Sequence, residues 1–477
     1  MAKNSGSSSK ETILLIEPEF PTVSKSRNHN DFFPLGLLKI MKYEKAQGNN
    51  VALVSGNQIA EDINFVNCKN NEIKRRKPTK IFITSIFTYW AKYVRDSVKW
   101  YRELYKNVPI VVGGVYATLM PEDCKRYTEC DEVNTSFYKE AEKYDVDWKY
   151  LEKYYGDYNY QILFTSRGCP NNCPYCGVNR ISPNFRPRRS IKDLIRKKKV
   201  VFYDNNLLAN PYIKAILNEL RDLKKQGVIK RCDAQCGIDW HYILKQPELA
   251  PKLKKAGFKD IKISWDRSVR DSTKIENAIN ILEEAGFTRD TDIMIFMIYN
   301  WEIPFEAMEE KRKKCWEWGV QICDCRFRPL HLNYDGYNPG KWQNGQQPGE
   351  YYIHEDAGWT DEKVRLFRKH IRRQNICNRL RFSFYSNSIE RKKIPKSYIA
   401  EIVKMAREQS ANGLVDLLDR IKIPYWFPDD GIHPEHDELR RMIYQEYKDD
   451  TGLAARSSRT ETEGFKKWRL NKIRKNL

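Results

Sequence analysis

The residues Ser166-Arg167-Gly168-Cys169-Pro170-Asn171-Asn172-Cys173-Pro174-Tyr175-Cys176-Gly177 place three cysteines in a CxxxCxxC spacing. Three thiolates this close in sequence can hold one metal centre, and Gly168, Pro170 and Pro174 force a loop around them. An iron–sulfur cubane usually takes four thiolates, so three leave one iron open to a substrate or cofactor. An open position separates a catalytic metal from a structural one. A structural zinc would need a fourth Cys or His nearby, yet after Cys176 the next candidates are Cys232 and His241. Three unrelated core cysteines would not need the loop-forming residues around them.

A loop of this kind has to be carried by regular elements. Directly before it runs Gln161-Ile162-Leu163-Phe164, the first of six apolar runs that alternate with helical patterns. The others are Val200-Val201-Phe202-Tyr203, Arg231 to Gln235, Ile261 to Ser264, Asp292 to Ile298 and Val320 to Asp324. Six such strands predict a partial (β/α)6 TIM-like barrel over residues 158–330, with working groups at the strand carboxyl ends. Upstream, Ile13 to Pro18, Val51 to Val54, Lys80 to Phe87 and Val108 to Gly114 alternate with helical stretches. They predict an α/β, doubly wound (Rossmann-like) domain over 11–137, then a Tyr- and Lys-rich linker over 138–157. From residue 331 to 477 the chain reads as a loop followed by a basic, mainly helical extension.

The cysteine loop, with Tyr175 just before its last cysteine and the first strand of a six-stranded βα series ahead of it, resembles the radical S-adenosylmethionine (SAM) enzymes. The resemblance covers residues 158–330. It implies that Cys169, Cys173 and Cys176 hold a [4Fe-4S] cluster, that SAM chelates the open iron, and that an electron from an external reductase cleaves SAM to a 5′-deoxyadenosyl radical. Tyr175 would lie against the adenine. At the end of the second strand, Asp204 and Asn205 stand where many members carry a Gly-Gly-Glu type segment on the SAM amino group. Ser264 and Asp266, after the fourth strand, match positions that often hold the SAM ribose; helix capping is their plainer reading. Arg326, at the end of the sixth strand, is a candidate for the SAM carboxylate or an anionic substrate, and equally a solvated charge.

The domain order resembles the subfamily with an N-terminal cobalamin-binding fold, through Pro34-Leu35-Gly36-Leu37-Leu38 and Val111 to Thr118. That implies cobalamin as a further cofactor and methylation as the reaction. The Asp-x-His-x-x-Gly ligand motif is absent, the one histidine before the barrel being His29. Gly113-Gly114 also reads simply as a tight turn.

Of 477 residues, 41% are hydrophobic and 13% aromatic, which excludes a disordered polyelectrolyte. Twelve cysteines are too sparse for a disulfide scaffold, and no apolar run is long enough to span a membrane, so a cytoplasmic protein is expected. A net charge of +21 favours an anionic partner such as nucleic acid, while solubility or an anionic metabolite explains it as well. Arg186-Pro187-Arg188-Arg189 and the arginines around Arg372 could grip phosphates, or be solvated faces. Cys232, Cys236, Cys315, Cys323 and Cys325 admit an auxiliary cluster without requiring one, and Pro424 to His436 is an aromatic loop with a histidine pair. These features leave three readings: radical modification, including methylation, of an anionic or nucleic-acid substrate; radical chemistry on a small metabolite; or a nucleic-acid-binding or assembly protein with a structural metal.

Overall fold

The structure is a computed structural model and describes residues 10–21, 33–67, 73–146, 148–155, 159–337 and 349–380, with short pieces between 445 and 465. His29, Arg381 and the 424–436 loop lie outside the described residues. The chain divides into two units, each discontinuous. The first takes Met1–Cys236, Lys255–Phe258 and Phe327–Tyr352, and the second Gly237–Lys254, Lys259–Arg326 and Ile353–Leu477.

In the first unit the elements run β1 (Thr12–Glu17), α1 (Leu35–Ala46), β2 (Asn50–Ser55), β3 (Phe65–Asn67), β4 (Ile73–Lys74), β5 (Lys80–Ser85), α2 (Ala91–Leu104) and β6 (Ile110–Gly114). Then come α3 (Val115–Leu119), α4 (Pro121–Thr128) and β7 (Glu132–Asn134). Among the described residues these strands form one sheet in the order β4-β3-β2-β1-β5-β6-β7, with β2, β1, β5, β6 and β7 parallel and β3 and β4 antiparallel at the edge. All six residues of β1 are buried because both faces are covered. Leu14 and Ile16 pack with Val94, Val98 and Tyr101 of α2, whereas Ile13 and Leu15 pack with Leu37, Leu38 and Met41 of α1. Strict alternation sends neighbouring side chains to opposite layers. The parallel strands follow the flavodoxin-like order, whose crevice opens between β1 and β5.

The stretch expected as a linker is packed instead. Val146 and, in α5 (Trp148–Tyr155), Trp148, Tyr150 and Leu151 join the layer under α1, and the Leu53 amide donates to the Tyr150 hydroxyl at 3.4 Å. Its rings are too apolar to remain in water. Residues 327–337 also depart from the expected boundary and return to the first unit. Tyr334 makes an antiparallel bridge with Trp90, Asn333 Nδ2 donates to Asp123, and the Arg328 guanidinium lies 4.4 Å from the Tyr89 ring centroid.

A second parallel sheet of this unit contains β8 (Tyr160–Leu163), β11 (Lys199–Phe202) and β12 (Arg231–Ala234). Between β8 and β11 lie β9 (Ser166–Arg167), α6 (Val178–Ile181) and β10 (Arg186–Pro187), the two strands pairing as an antiparallel hairpin. Helix α7 (Ile213–Lys225) buries Ile213, Ile216, Leu217, Leu220 and Leu223, a three-four spacing that makes one apolar stripe.

The second unit carries α8 (Trp240–Lys245), α9 (Leu249–Ala256, its last two residues in the first unit), β13 (Phe258–Lys259, divided likewise), β14 (Ile261–Ser264), α10 (Ser272–Glu284), α11 (Arg289–Asp292), β15 (Ile293–Tyr299), α12 (Phe305–Glu317), β16 (Gln321–Arg326) and α13 (Asp361–Leu380). Strands β14, β15 and β16 are parallel. Helix α13 satisfies the free edge of β16 with amide side chains. Asn375 accepts from the Ile322 amide at 2.7 Å and donates to its carbonyl at 2.6 Å, and Asn378 donates to the Val320 carbonyl at 2.8 Å. Covering an edge in this way removes a template for unwanted strand pairing. All six strands expected between residues 158 and 330 are thus present, in two parallel sheets.

Candidate metal centre

The cysteine loop leaves the end of β8 and is fastened at its entrance by a buried carboxylate. Asp204, just past β11, is 2% exposed. Its Oδ1 accepts from the Thr165 hydroxyl at 2.6 Å, the Ser166 amide at 2.7 Å and the Ser166 hydroxyl at 2.9 Å, while Oδ2 accepts from the Thr165 amide at 3.0 Å. Burial raises the Asp204 pKa above the usual carboxylate range, and the Thr165 and Ser166 bonds only partly offset it. Asn210, also buried, donates to the Thr165 carbonyl at 2.9 Å and the Arg188 carbonyl at 3.2 Å, tying the entrance to the β10 side of the loop.

Gly168 then turns the chain with φ +78°. A Cβ there would sit 2.7 Å from the Asn184 carbonyl oxygen and 2.9 Å from that of Ser182, so the turn requires glycine. Cys169, Cys173 and Cys176 come next, none in a disulfide and all half-buried. The Cys176 amide closes a turn on the Cys173 carbonyl at 3.0 Å, and the Asn171 amide points at Cys169 Sγ at 3.4 Å. An amide aimed at sulfur favours the thiolate. Asn179 Nδ2 ties down the far side, donating to the Asn171 carbonyl at 3.1 Å and Asn172 Oδ1 at 2.7 Å. Arg180 bonds the Leu119 carbonyl, and a Cβ on Gly177 would meet Leu119 and Leu330 at 3.2 to 3.3 Å.

Among the described residues no three His, Cys, Asp or Glu side chains converge on a point that one ion would occupy. Three half-buried thiols outside any disulfide, on a turn fixed by Gly168 and Asn179, suit the thiolate ligation that a cubane takes. Tyr175 is half-buried within the loop, and Asn205 is exposed between buried Asp204 and Asn206. The sequence pattern gave Asp204 to the SAM amino group, whereas its four hydrogen bonds go to Thr165 and Ser166. Those bonds fasten the entrance of the loop. Thr165, Ser166 and Asn210 were missed, since nothing in a linear pattern joins residues 39 and 45 positions apart.

In the second unit, Ser264 ends β14 and Asp266 comes two residues later, half-buried. The loop around Asp266 is held by Lys311 of α12, fully buried, which donates to the Trp265 carbonyl at 2.6 Å and the Arg267 carbonyl at 3.0 Å. Trp265 stacks on Trp318 at 5.4 Å and donates from Nε1 to the Ser268 carbonyl at 3.0 Å. Burial lowers the Lys311 pKa to about 8 against the pull of Asp266. Lys311 is hidden in the linear pattern, because it sits in a run of lysines and arginines that looks like a solvated face.

Arg326 does not share a sheet face with Ser264. The register aligns Ser264 with Phe296 and Cys323, and Tyr299 with Arg326. Three residues beyond Cys323, Arg326 lies on the opposite face with Tyr299, which packs on Trp359 and Phe367. Of the proposed auxiliary cysteines, Cys232 and Cys315 are wholly buried and burial pushes both thiols far up, as suits core residues.

A sequence model described as the radical SAM superfamily matches residues 163–309. No curated protein matches the chain. Among solved structures, the radical S-adenosylmethionine methyltransferase TsrM from Kitasatospora setae, with cobalamin and a [4Fe-4S] cluster bound, is 12% identical at a TM-score of 0.48, covering 66% of this chain and 75% of that one. The same enzyme with tryptophan substrate and the SAM analogue aza-SAM gives 12% identity and a TM-score of 0.49, over 68% of this chain and 74% of that one. Pyruvate carboxylase from Rhizobium etli reaches a TM-score of 0.22 at 11% identity, over 62% of this chain and 23% of that one. Among the described residues no helix is long and apolar enough to cross a membrane.

Proposed function

We propose, from the match of residues 163–309 to the radical SAM superfamily model, that this chain is a radical SAM enzyme and cleaves SAM reductively to produce a 5′-deoxyadenosyl radical. Cys169, Cys173 and Cys176 would hold the [4Fe-4S] cluster, which supplies an electron to the SAM sulfonium when reduced by an external donor. The observation that carries the reading is the half-buried cysteine loop with its entrance locked by Asp204 and its exit by Asn179. Preorganised ligands keep a metal centre from drifting. Tyr175 and exposed Asn205 remain proposed SAM contacts in the first unit, Ser264 and Asp266 in the second. The partial barrel belongs to the same proposal.

Cobalamin is supported by the strand order of the N-terminal sheet, a fold-level argument. It is opposed at the same crevice by Phe20, after β1, which stacks on Trp90, after β5, at 5.3 Å and 17°. No step is therefore assigned to cobalamin, and methylation waits on its detection by absorbance after gel filtration.

The test is anaerobic reconstitution with iron and sulfide, reduction with dithionite, and chromatography for 5′-deoxyadenosine. Formation of the nucleoside that needs all three loop cysteines is the expected outcome. A zinc-loaded protein with intact SAM would replace the reading with a structural metal and a binding role.

A further inference from the structure

We propose that the β9–β10 hairpin beside the cysteine loop forms a binding site for a phosphate group. Arg167 of β9 stands at its centre, half-buried, with its guanidinium 3.7 Å from the Phe164 ring centroid and 5.5 Å from that of Phe137. Arg186 of β10 lies 5.6 Å from the same Phe137 ring. The hairpin register opposes Arg186 to Arg167, and Arg188 stands two residues on. Lys39 of α1 completes the cationic group, since Arg167 and Arg188 both act on its charge.

The counter-charges are too few and already committed. Glu142 is bound to Lys39 at 3.0 Å, and both Asp204 oxygens are taken by Thr165 and Ser166. Among the described residues no carboxylate or carbonyl accepts from the Arg167, Arg186 or Arg188 guanidinium. A guanidinium keeps its charge throughout the ordinary pH range. Arg167 and Arg186 share the Phe137 ring and Arg188 stands two residues on, and like charges held this close repel until an anion completes the group. A dianion with several acceptor oxygens, meeting guanidinium forks, is the matching chemistry. A monoanionic carboxylate would leave most of the excess in place.

The inference goes beyond the proposed reaction, because binding here needs neither iron nor reductant. The phosphate could belong to a small phosphorylated molecule or to a nucleic-acid backbone. The full-length reconstituted chain is titrated calorimetrically with 5′-AMP, adenosine, methionine and a short single-stranded RNA. AMP should bind and adenosine should not, and Arg186→Gln combined with Arg188→Gln should weaken AMP by about tenfold or more. Both positions are exposed, so the fold should survive; Arg167→Lys, keeping the charge without the fork, should give an intermediate loss. Binding of RNA far tighter than AMP, with a steep salt dependence, assigns the phosphate to a backbone, and equal binding assigns it to a small ligand. AMP and RNA binding no better than adenosine, methionine displacing AMP, or affinities unchanged in the double variant would each overturn the site. Failure here with intact 5′-deoxyadenosine formation, or the reverse, separates this proposal from the previous one.

Discussion

The first unit contains two parallel sheets whose carboxyl edges are finished in opposite ways. After β1 and β5 come rings: Phe20 stacked on Trp90, and Phe87 stacked on Tyr89 at 5.1 Å and set edge-on to Trp90 at 5.0 Å. After β8 and β11 come polar groups that satisfy one another, with Asp204 and Asn210 fixing the backbone of Thr165 and Ser166. Parallel strands open a crevice at that end in either case. The residues just past each strand decide whether the crevice is packed shut or built into a site.

The sharpest way to break this comparison is Cys173→Ala, which should lower 5′-deoxyadenosine formation by at least about a thousandfold and reduce bound iron, while thermal stability barely moves. Retained nucleoside formation would remove the loop from the chemistry. Next comes Asp204→Ala, which strands two buried amides and two hydroxyls. It should cost about 4 kcal/mol in urea unfolding of the iron-free protein and also impair iron uptake. Full iron loading at unchanged stability would show that the clamp positions nothing. Phe20→Ala should cost about 3 kcal/mol of stability through lost ring packing but leave iron content at the wild-type level. Loss of iron in that variant would mean that the two edges are not independent.

The smallest effect carries the comparison to the second unit. Lys311 in the unfolded chain keeps its proton to about pH 10.4, whereas the folded chain releases it near 8. Between those values the unfolded state binds more protons, so stability should rise with pH, by up to about 1 kcal/mol per pH unit. The rise should disappear in Lys311→Met; an identical slope in both proteins would assign it elsewhere.

The sequence was most legible where local pattern and tertiary role coincide. Six apolar runs between turn residues became six strands, and Gly168 with the prolines did mark a loop. Legibility failed where a role depends on where a side chain turns. Asp204 reads as a free polar group at a strand end, yet it faces backward to Thr165 and Ser166. Arg326 reads as a contact for the SAM carboxylate or an anionic substrate, or as a solvated charge, and the β14–β16 register that sets it on the face opposite Ser264 is not visible in a linear pattern. Trp148, Tyr150 and Leu151 read as part of a linker because a short Tyr- and Lys-rich stretch shows little periodicity before its partner layer is known.

The return of residues 327–337 to the first unit has a consequence for synthesis. The segment that pairs with Trp90 and the amide that meets Asp123 are made some two hundred residues after β7, which at ribosomal speeds is about 10 to 40 s later. Through that interval the N-terminal sheet must stand with one border unfinished while the whole β14–β16 sheet is produced. A nascent chain stalled before residue 328 would therefore leave the Tyr89 ring without the Arg328 guanidinium, the Trp90 backbone without its bridge and Asp123 without the Asn333 amide, and a chaperone would find its binding window there.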